Sequence, residues 1–357
     1  MTVTQALMLD EQKLNEFIGK AVGDFGTTLS TALVVIGDQL GLYRALAARP
    51  LTSAELSEDT QTAERYVREW LVNQAAGGYL EYDPLSGRYS LPPEHAIALT
   101  QEDSPAYVVG GYQVVSSLVL AFPRILQAFR DGSGMLWGEH DENLFEGTER
   151  FFKPGYLANL VDSWLPALDG IDAKLRQGGT VADVGCGLGA STIIMAQAYP
   201  NSRFVGYDNH APSIEAAREA AARAGVADRV AFEVASAADY PAAGRYDLIA
   251  FFDCLHDMGD PSGAMRHALE ALAPDGAVMI VEPMAGDRIE DNLNPVGRVF
   301  SGASTLVCTP NAVASGGEAL GTLAPEAAIA DVVRGAGFSS FRRATETPFN
   351  RIFEAKR

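Results

Sequence analysis

Apolar positions change their spacing twice along this chain. Over residues 27–47 they recur at Leu29, Leu33, Ile36, Leu40 and Leu46, which predicts one helix. Leu51-Thr-Ser-Ala-Glu-Leu56 opens a second, with Thr52 or Ser53 as N-cap, and residues 62–74 form a third. Residues 78–91 then alternate about the turn Pro84-Leu-Ser-Gly87, the pattern of a β-hairpin. Helix, helix, hairpin is the winged-helix order. Residues 104–170 read as largely helical and rich in aromatics, including Trp137, Phe145, Phe152, Tyr156 and Trp164.

From about residue 178 the pattern changes to alternating strands and helices, the strands near-continuously apolar. Residues 180–185, 203–208, 229–235, 246–253 and 277–282 read as strands, with helices over 190–198, 213–223 and 261–272 between them. Apolar strands spaced by helices predict a parallel, doubly wound α/β sheet. A helix over residues 326–335 leads into strands 338–345 and 350–356, joined by Glu346-Thr-Pro-Phe349. So short a link cannot be a parallel crossover, so the last pair is antiparallel. This is the Rossmann-like architecture of the methyltransferase fold, behind a mainly helical winged-helix domain. The expected division is residues 1–100 for the N-terminal helices and winged-helix dimerisation domain, 101–170 for a helical connector lining a substrate pocket, and 171–357 for the cofactor-binding domain.

Charge narrows the partners. The 357 residues carry a net charge of −19. Residues 51–95 hold eight acidic side chains against Arg65, Arg68 and Arg88, so this winged helix lacks the basic surface that nucleic acid requires. Anionic membranes are disfavoured for the same reason. Three cysteines without paired spacing predict neither a disulfide framework nor a metal site. Asp10, Glu11 and Glu16 stand where a leader would be basic, and Asp38 interrupts the most apolar run, residues 29–42. A reduced, cytoplasmic protein is expected.

The chemistry centres on Asp183-Val-Gly-Cys-Gly-Leu-Gly189, which follows a strand and opens a helix. Gly185, Gly187 and Gly189 allow a sharp turn and close approach of a ligand to the backbone. The next strand ends at Asp208, placed to accept hydrogen bonds from ribose hydroxyls. Gly185-x-Gly187-x-x-Ala190 also meets the looser dinucleotide pattern, so a nicotinamide cofactor competes with S-adenosylmethionine. The latter is favoured by Asp183 two residues before the first glycine, where it can reach the cofactor's amino-acid end, by the motif's place after a helical domain, and by the antiparallel close. Ser236 and Ala237, after the third strand, are expected to meet the adenine.

Tyr246-Asp-Leu-Ile-Ala-Phe-Phe-Asp-Cys-Leu-His-Asp-Met-Gly-Asp-Pro261 and Leu272-Ala-Pro-Asp-Gly-Ala-Val-Met-Ile-Val-Glu-Pro283 resemble plant-type small-molecule O-methyltransferases. Phe251 to Met258, Leu306-Val-Cys-Thr-Pro-Asn311 and Arg343-Ala-Thr-Glu-Thr-Pro-Phe349 resemble more closely a group of actinobacterial winged-helix methyltransferases. The resemblance implies a homodimer acting on a small molecule with S-adenosylmethionine and no metal. It implies His256 as general base, Glu282 as the acid orienting it, and Phe252 and Asp253 beside the cofactor. Met258 replaces a tryptophan common in the plant-type family.

A hydroxyl acceptor must lose a proton, and a histidine with its ordinary pKa near 6.5 suits that task at neutral pH. Residues 284–324 are expected to form a substrate-covering lid, with Asn294 and Arg298 as candidate contacts and a Gly-rich Ser315-Gly-Gly-Glu318. His210 and His267 are expected on helix surfaces, and Cys254 in packing. The rival readings are N- or S-methyl transfer, and a protein that binds S-adenosylmethionine without transferring methyl, as a regulator or a non-methylating enzyme.

Overall fold

The computed structural model describes residues 9–242, 245–317 and 319–357. Residues 1–8, where a leader was sought, and Glu318 of the Gly-rich stretch lie outside them. The chain forms two compact units, Met1–Ser116 and Ser117–Arg357, so the stretch 101–170 is divided between them.

The first unit contains α1 (Glu11–Gln39), α2 (Leu42–Ala48), α3 (Ser53–Thr60), α4 (Glu64–Ala76), the antiparallel hairpin β1 (Glu81–Asp83) and β2 (Arg88–Ser90), and α5 (Pro93–Thr100). Helix α6 (Val109–Leu120) crosses the boundary. Helix α3 begins where the sequence placed it: Thr52 accepts from the Glu55 N–H at 3.3 Å, and the Glu55 carboxylate accepts from the Thr52 N–H at 2.9 Å. Such a capping box stabilises a helix by about 1 kcal/mol. Val34, Leu42, Tyr43, Leu46, Leu71 and Trp70 form the core of this unit. The single helix expected over 27–47 is two. Helix α1 starts at Glu11, and Gly41, left-handed at φ +72°, separates it from α2. The early start went unseen because Phe17, Val22, Phe25 and Leu29 follow a helical spacing while lying exposed.

The second unit continues with α7 (Phe122–Asp131), α8 (Glu142–Asn159), α9 (Ile171–Gln177), β3 (Thr180–Val184), α10 (Ala190–Ala198), β4 (Arg203–Asp208), α11 (Ala211–Arg223), β5 (Val230–Val234), β6 (Tyr246–Phe252), α12 (Pro261–Ala271) and β7 (Leu272–Pro283). After α13 (Pro295–Ala303), α14 (Thr309–Ala314) and α15 (Glu326–Gly335) come β8 (Ser340–Glu346) and β9 (Asn350–Lys356). The seven strands lie in the order β5-β4-β3-β6-β7-β9-β8, and β9 runs antiparallel to both its neighbours. Alternate residues of β6 feed opposite cores. Leu248, Ala250 and Phe252 pack with α9, α10 and α11, whereas Ile249 and Phe251 pack with α12 and α15. Both faces are covered, as the apolar strands require.

The expected lid is not a loop. Residues 284–324 fold into α13, a π-helical turn at Ser304–Cys308, and α14, with Phe300, Val307, Cys308 and Ala312 buried. Thr322 donates its hydroxyl proton to the Phe300 carbonyl at 2.8 Å, closing the insertion on itself.

Candidate active site

A cavity of about 340 Å³ opens at the carboxyl ends of β3, β4 and β6, where open α/β sheets place their ligands. Gly185 lines it, and Gly189 ends the same loop just behind the lining. Both are left-handed, at φ +77° and +88°. A Cβ on Gly189 would stand 2.6 Å from the Phe232 ring, and one on Gly185 2.8 Å from the Cys254 sulfur. Gly187 donates its N–H to Asp208 Oδ2 at 2.9 Å, and His210 donates its N–H to Oδ1 at 2.9 Å. The Asp208 carboxylate is thereby fixed in the cavity wall, and burial raises its pKa. Ser236 and Ala237 line the same cavity. The Ser236 N–H is taken by Asp239 at 2.7 Å, and the Ser236 hydroxyl accepts the Ala238 N–H at 3.3 Å.

Asp183 does not reach the cavity. It is fully buried beneath the loop, where Oδ2 accepts from the Ser191 and Thr192 hydroxyls, each at 2.6 Å, and Oδ1 has no partner. Burial raises its pKa to about 6. Through Oδ2 it holds the start of α10. Phe252 and Asp253 do line the cavity. Asp253 leaves β6 in a left-handed conformation, φ +51°, uncommon for a residue with a side chain. Asn350 donates to its Oδ1 at 2.9 Å and the Tyr156 hydroxyl to its Oδ2 at 3.3 Å. Burial first, then the Glu282 charge, raises Asp253 to about 8, and burial raises Asp257, also in the wall, to about 7.

His256 and Glu282 meet as expected, with Nδ1 2.6 Å from Oε2, both buried. Two features differ from the sequence reading. The imidazole lies behind the cavity wall, beside Cys308 of the helical insertion. Its pKa is not ordinary: burial pushes it down, but the Glu282 charge and Cys308 together carry it well above the usual value. Asn294 and Arg298 lie outside the cavity. Asn294 caps α13 by accepting the Gly297 N–H at 2.9 Å, and Arg298 is exposed. Asn311 and Ser315 are the insertion residues that reach the wall. Asn311 accepts the Trp137 N–H at 2.9 Å and donates to the Asp257 carbonyl at 3.0 Å. Neither His210 nor His267 is a plain surface residue. His210 stacks on Phe145 at 4.5 Å, and the His267 ring bonds the Tyr240 carbonyl at 2.6 Å.

One face of α8 supplies the opposite wall: Phe145, Thr148, Glu149, Phe152 and Tyr156, with Trp137 beside them. The sequence showed the aromatics but not which would turn inward. Among the described residues no cluster of His, Cys, Asp or Glu is arranged to hold a metal, and no single helix is long and apolar enough to cross a membrane.

Comparison with known proteins agrees with this architecture. Residues 175–323 match the family described as a methyltransferase domain, and residues 28–101 the Rv2258c-like winged HTH domain. The 27-O-demethylrifamycin SV methyltransferase of Amycolatopsis mediterranei is 32% identical over 155 residues, which are 43% of this chain and 54% of that one. The chain thus spans about half the length of this curated relative. Solved structures align over nearly the whole chain. A mitomycin 7-O-methyltransferase gives a TM-score of 0.70 at 18% identity, covering 97% of this chain and 98% of its own. Human N-acetylserotonin methyltransferase, in complex with S-adenosylmethionine, gives 0.68 at 16% identity, covering 100% and 99%. Residues 175–323 of the chain thus carry a methyltransferase domain. An Rv2258c-like winged helix precedes that domain in the sequence, over residues 28–101.

Proposed function

We propose that this protein transfers the methyl group of S-adenosylmethionine to a hydroxyl of a small-molecule acceptor, as a cytoplasmic homodimer. The observation that carries the cofactor is the carboxyl lining of the cavity, whose groups a bound cation would draw to their ionised form. Asp208 is fixed beside the Gly187 N–H, and the wall holds Glu149, Asp208, Asp253, Asp257 and Asp260 with no Lys, Arg or His. Such a wall suits a sulfonium cation with a ribose and opposes the dianionic pyrophosphate of a nicotinamide dinucleotide.

S-adenosylmethionine, when bound, supplies an electrophilic methyl group. The protein's part is alignment and exclusion of water, which the aromatic rings of Trp137, Phe145, Phe152 and Tyr156 serve by walling the cavity. Alignment contributes as much as about 7–11 kcal/mol in such displacements. The acceptor oxygen gains the methyl and gives up its proton, which the resemblance assigns to His256, oriented by Glu282. That step requires a neutral imidazole and its exposure from behind Cys308. Because His256 is set back from the cavity and its pKa is raised, a second reading is favoured over the remaining ones: an already neutral amine acceptor, which needs less of His256.

The winged helix is read as a dimerisation element. Arg68 and Glu64 pair at 2.8 Å on α4, which leaves that arginine occupied, and α1 presents exposed Phe17, Val22, Phe25 and Leu29 for a second copy.

Methyl-labelled S-adenosylmethionine with a panel of phenols, amines and thiols, using wild type and His256→Ala, tests the proposal. Label on a hydroxyl that falls at least about 100-fold in the variant supports the assignment. Label on nitrogen, or undiminished activity in the variant, selects the second reading. No cofactor binding at all rejects both.

A further inference from the structure

The cavity-facing stripe of α8 is aromatic or small except at one position. Phe145, Thr148, Glu149, Phe152 and Tyr156 fall at the spacing of one helix face, and all line the cavity. A carboxylate in the middle of an otherwise apolar stripe breaks the local pattern, and such breaks mark function.

The five wall carboxyls differ in what already holds them. Asp208 accepts two backbone N–H groups, Asp253 is held by Asn350 and Tyr156, and Asp260 caps α12 by accepting the Gly263 N–H at 2.7 Å. Asp257 lies beside the His256 charge. Glu149 accepts no hydrogen bond from the described residues. Burial raises its pKa, against the charges of Lys153 and Arg223. Glu149 is half-buried in the wall, where a cation bound in the cavity can meet its carboxylate directly.

Its place says which cation. Asp208 marks the ribose end, and Ser236 and Ala237 the adenine end. The other end of the cavity runs from Gly185 along Ala190 and Ser191, where α8 packs against α10. Asp183, the acid the sequence offered for this end, is buried under the loop and does not line the cavity, with Oδ2 held by Ser191 and Thr192.

We propose that Glu149 binds the α-ammonium group of the cofactor's amino-acid end, the charge that Asp183 does not reach. The inference rests on the S-adenosylmethionine site proposed above. It predicts that part of the cofactor's affinity comes from α8, a helix outside the glycine-loop motif.

Calorimetric binding of two ligands separates the possibilities. S-adenosylhomocysteine carries the ammonium group but no sulfonium, and 5′-methylthioadenosine lacks the amino-acid portion. Glu149→Gln is expected to weaken S-adenosylhomocysteine about ten- to a hundredfold, the worth of a charged hydrogen bond. It should leave 5′-methylthioadenosine within about twofold, which also shows that the variant is folded. Unchanged binding of both ligands, or equal loss of both, overturns the inference while leaving the cofactor site intact. Wild type that binds neither ligand overturns the cofactor site itself, and the inference with it.

Discussion

The Nδ1 of His256 lies 2.6 Å from Oε2 of Glu282, and both side chains are almost wholly removed from solvent. Glu282 comes from the end of β7 and His256 from the turn after β6, neighbouring parallel strands, so sheet register makes the pair. Because Glu282 raises the pKa of the imidazole, a base at this position becomes neutral only above the usual histidine range. The rate of hydroxyl methylation is therefore expected to rise with pH beyond neutrality. In Glu282→Gln the supporting charge is gone, burial dominates, and the acidic limb of the pH–rate profile should move to lower pH. A profile whose limb stays in place would separate His256 from the proton transfer. The variant should also lose about 3–5 kcal/mol of stability, as when one partner of a buried pair is removed.

Three buried carboxyls set a pH dependence of stability. Asp183, Asp257 and Asp253 are raised to about 6, about 7 and about 8 in the folded chain, against roughly 3.9 unfolded. The folded state holds these protons more tightly. The stability they confer is complete below about pH 4 and is lost as pH rises through the three folded values. Ligand-free protein should therefore melt at higher temperature at pH 5 than at pH 9. Asp253→Asn, which keeps a polar group for Asn350 and tolerates the left-handed backbone, should raise the melting temperature at pH 9 by a few degrees and change it little at pH 5. Parallel curves for the two proteins would contradict this.

Gly189 and Gly187 should respond differently to alanine. At Gly189 φ is +88° and the new methyl would press on the Phe232 ring, whereas at Gly187 φ is +52° and the space is open. Left-handed strain alone costs about 1–3 kcal/mol, and the ring contact adds to it. Thermal unfolding and S-adenosylhomocysteine titration of both variants check the order: Gly189→Ala should lose stability and affinity together, with the smaller loss of stability in Gly187→Ala.

The exposed face of α1 is expected to carry the dimer. Phe17, Val22 and Phe25 are each more than 60% exposed within one chain, more apolar surface than an isolated helix keeps in water without association. Light scattering on the full chain should give a dimer mass, and the double variant Phe17→Glu, Phe25→Glu a monomer. A monomeric wild type would remove the dimer from the account.

The sequence by itself determined the wing, the strand and helix alternation from residue 178, the glycine loop, Asp208 and the short antiparallel close. Each follows from local spacing: a period of two or of 3.6, a capping Thr52, glycines where φ must be positive, a link too short for a crossover. It also identified His256 and Glu282 as a pair through resemblance. Only the tertiary structure decided what those groups face. Asp183 is two residues from Gly185, yet its carboxylate turns under the loop to Ser191 and Thr192. Asn294 became a helix cap because the stretch read as a loop is helical, which brought Asn311 to the wall instead. Glu149 was one acid on a helix among aromatics until the packing of α8 over the sheet edge turned its face inward. Spacing fixes which residues share a face; which face meets a ligand depends on contacts between segments distant in the chain, and no local pattern records those.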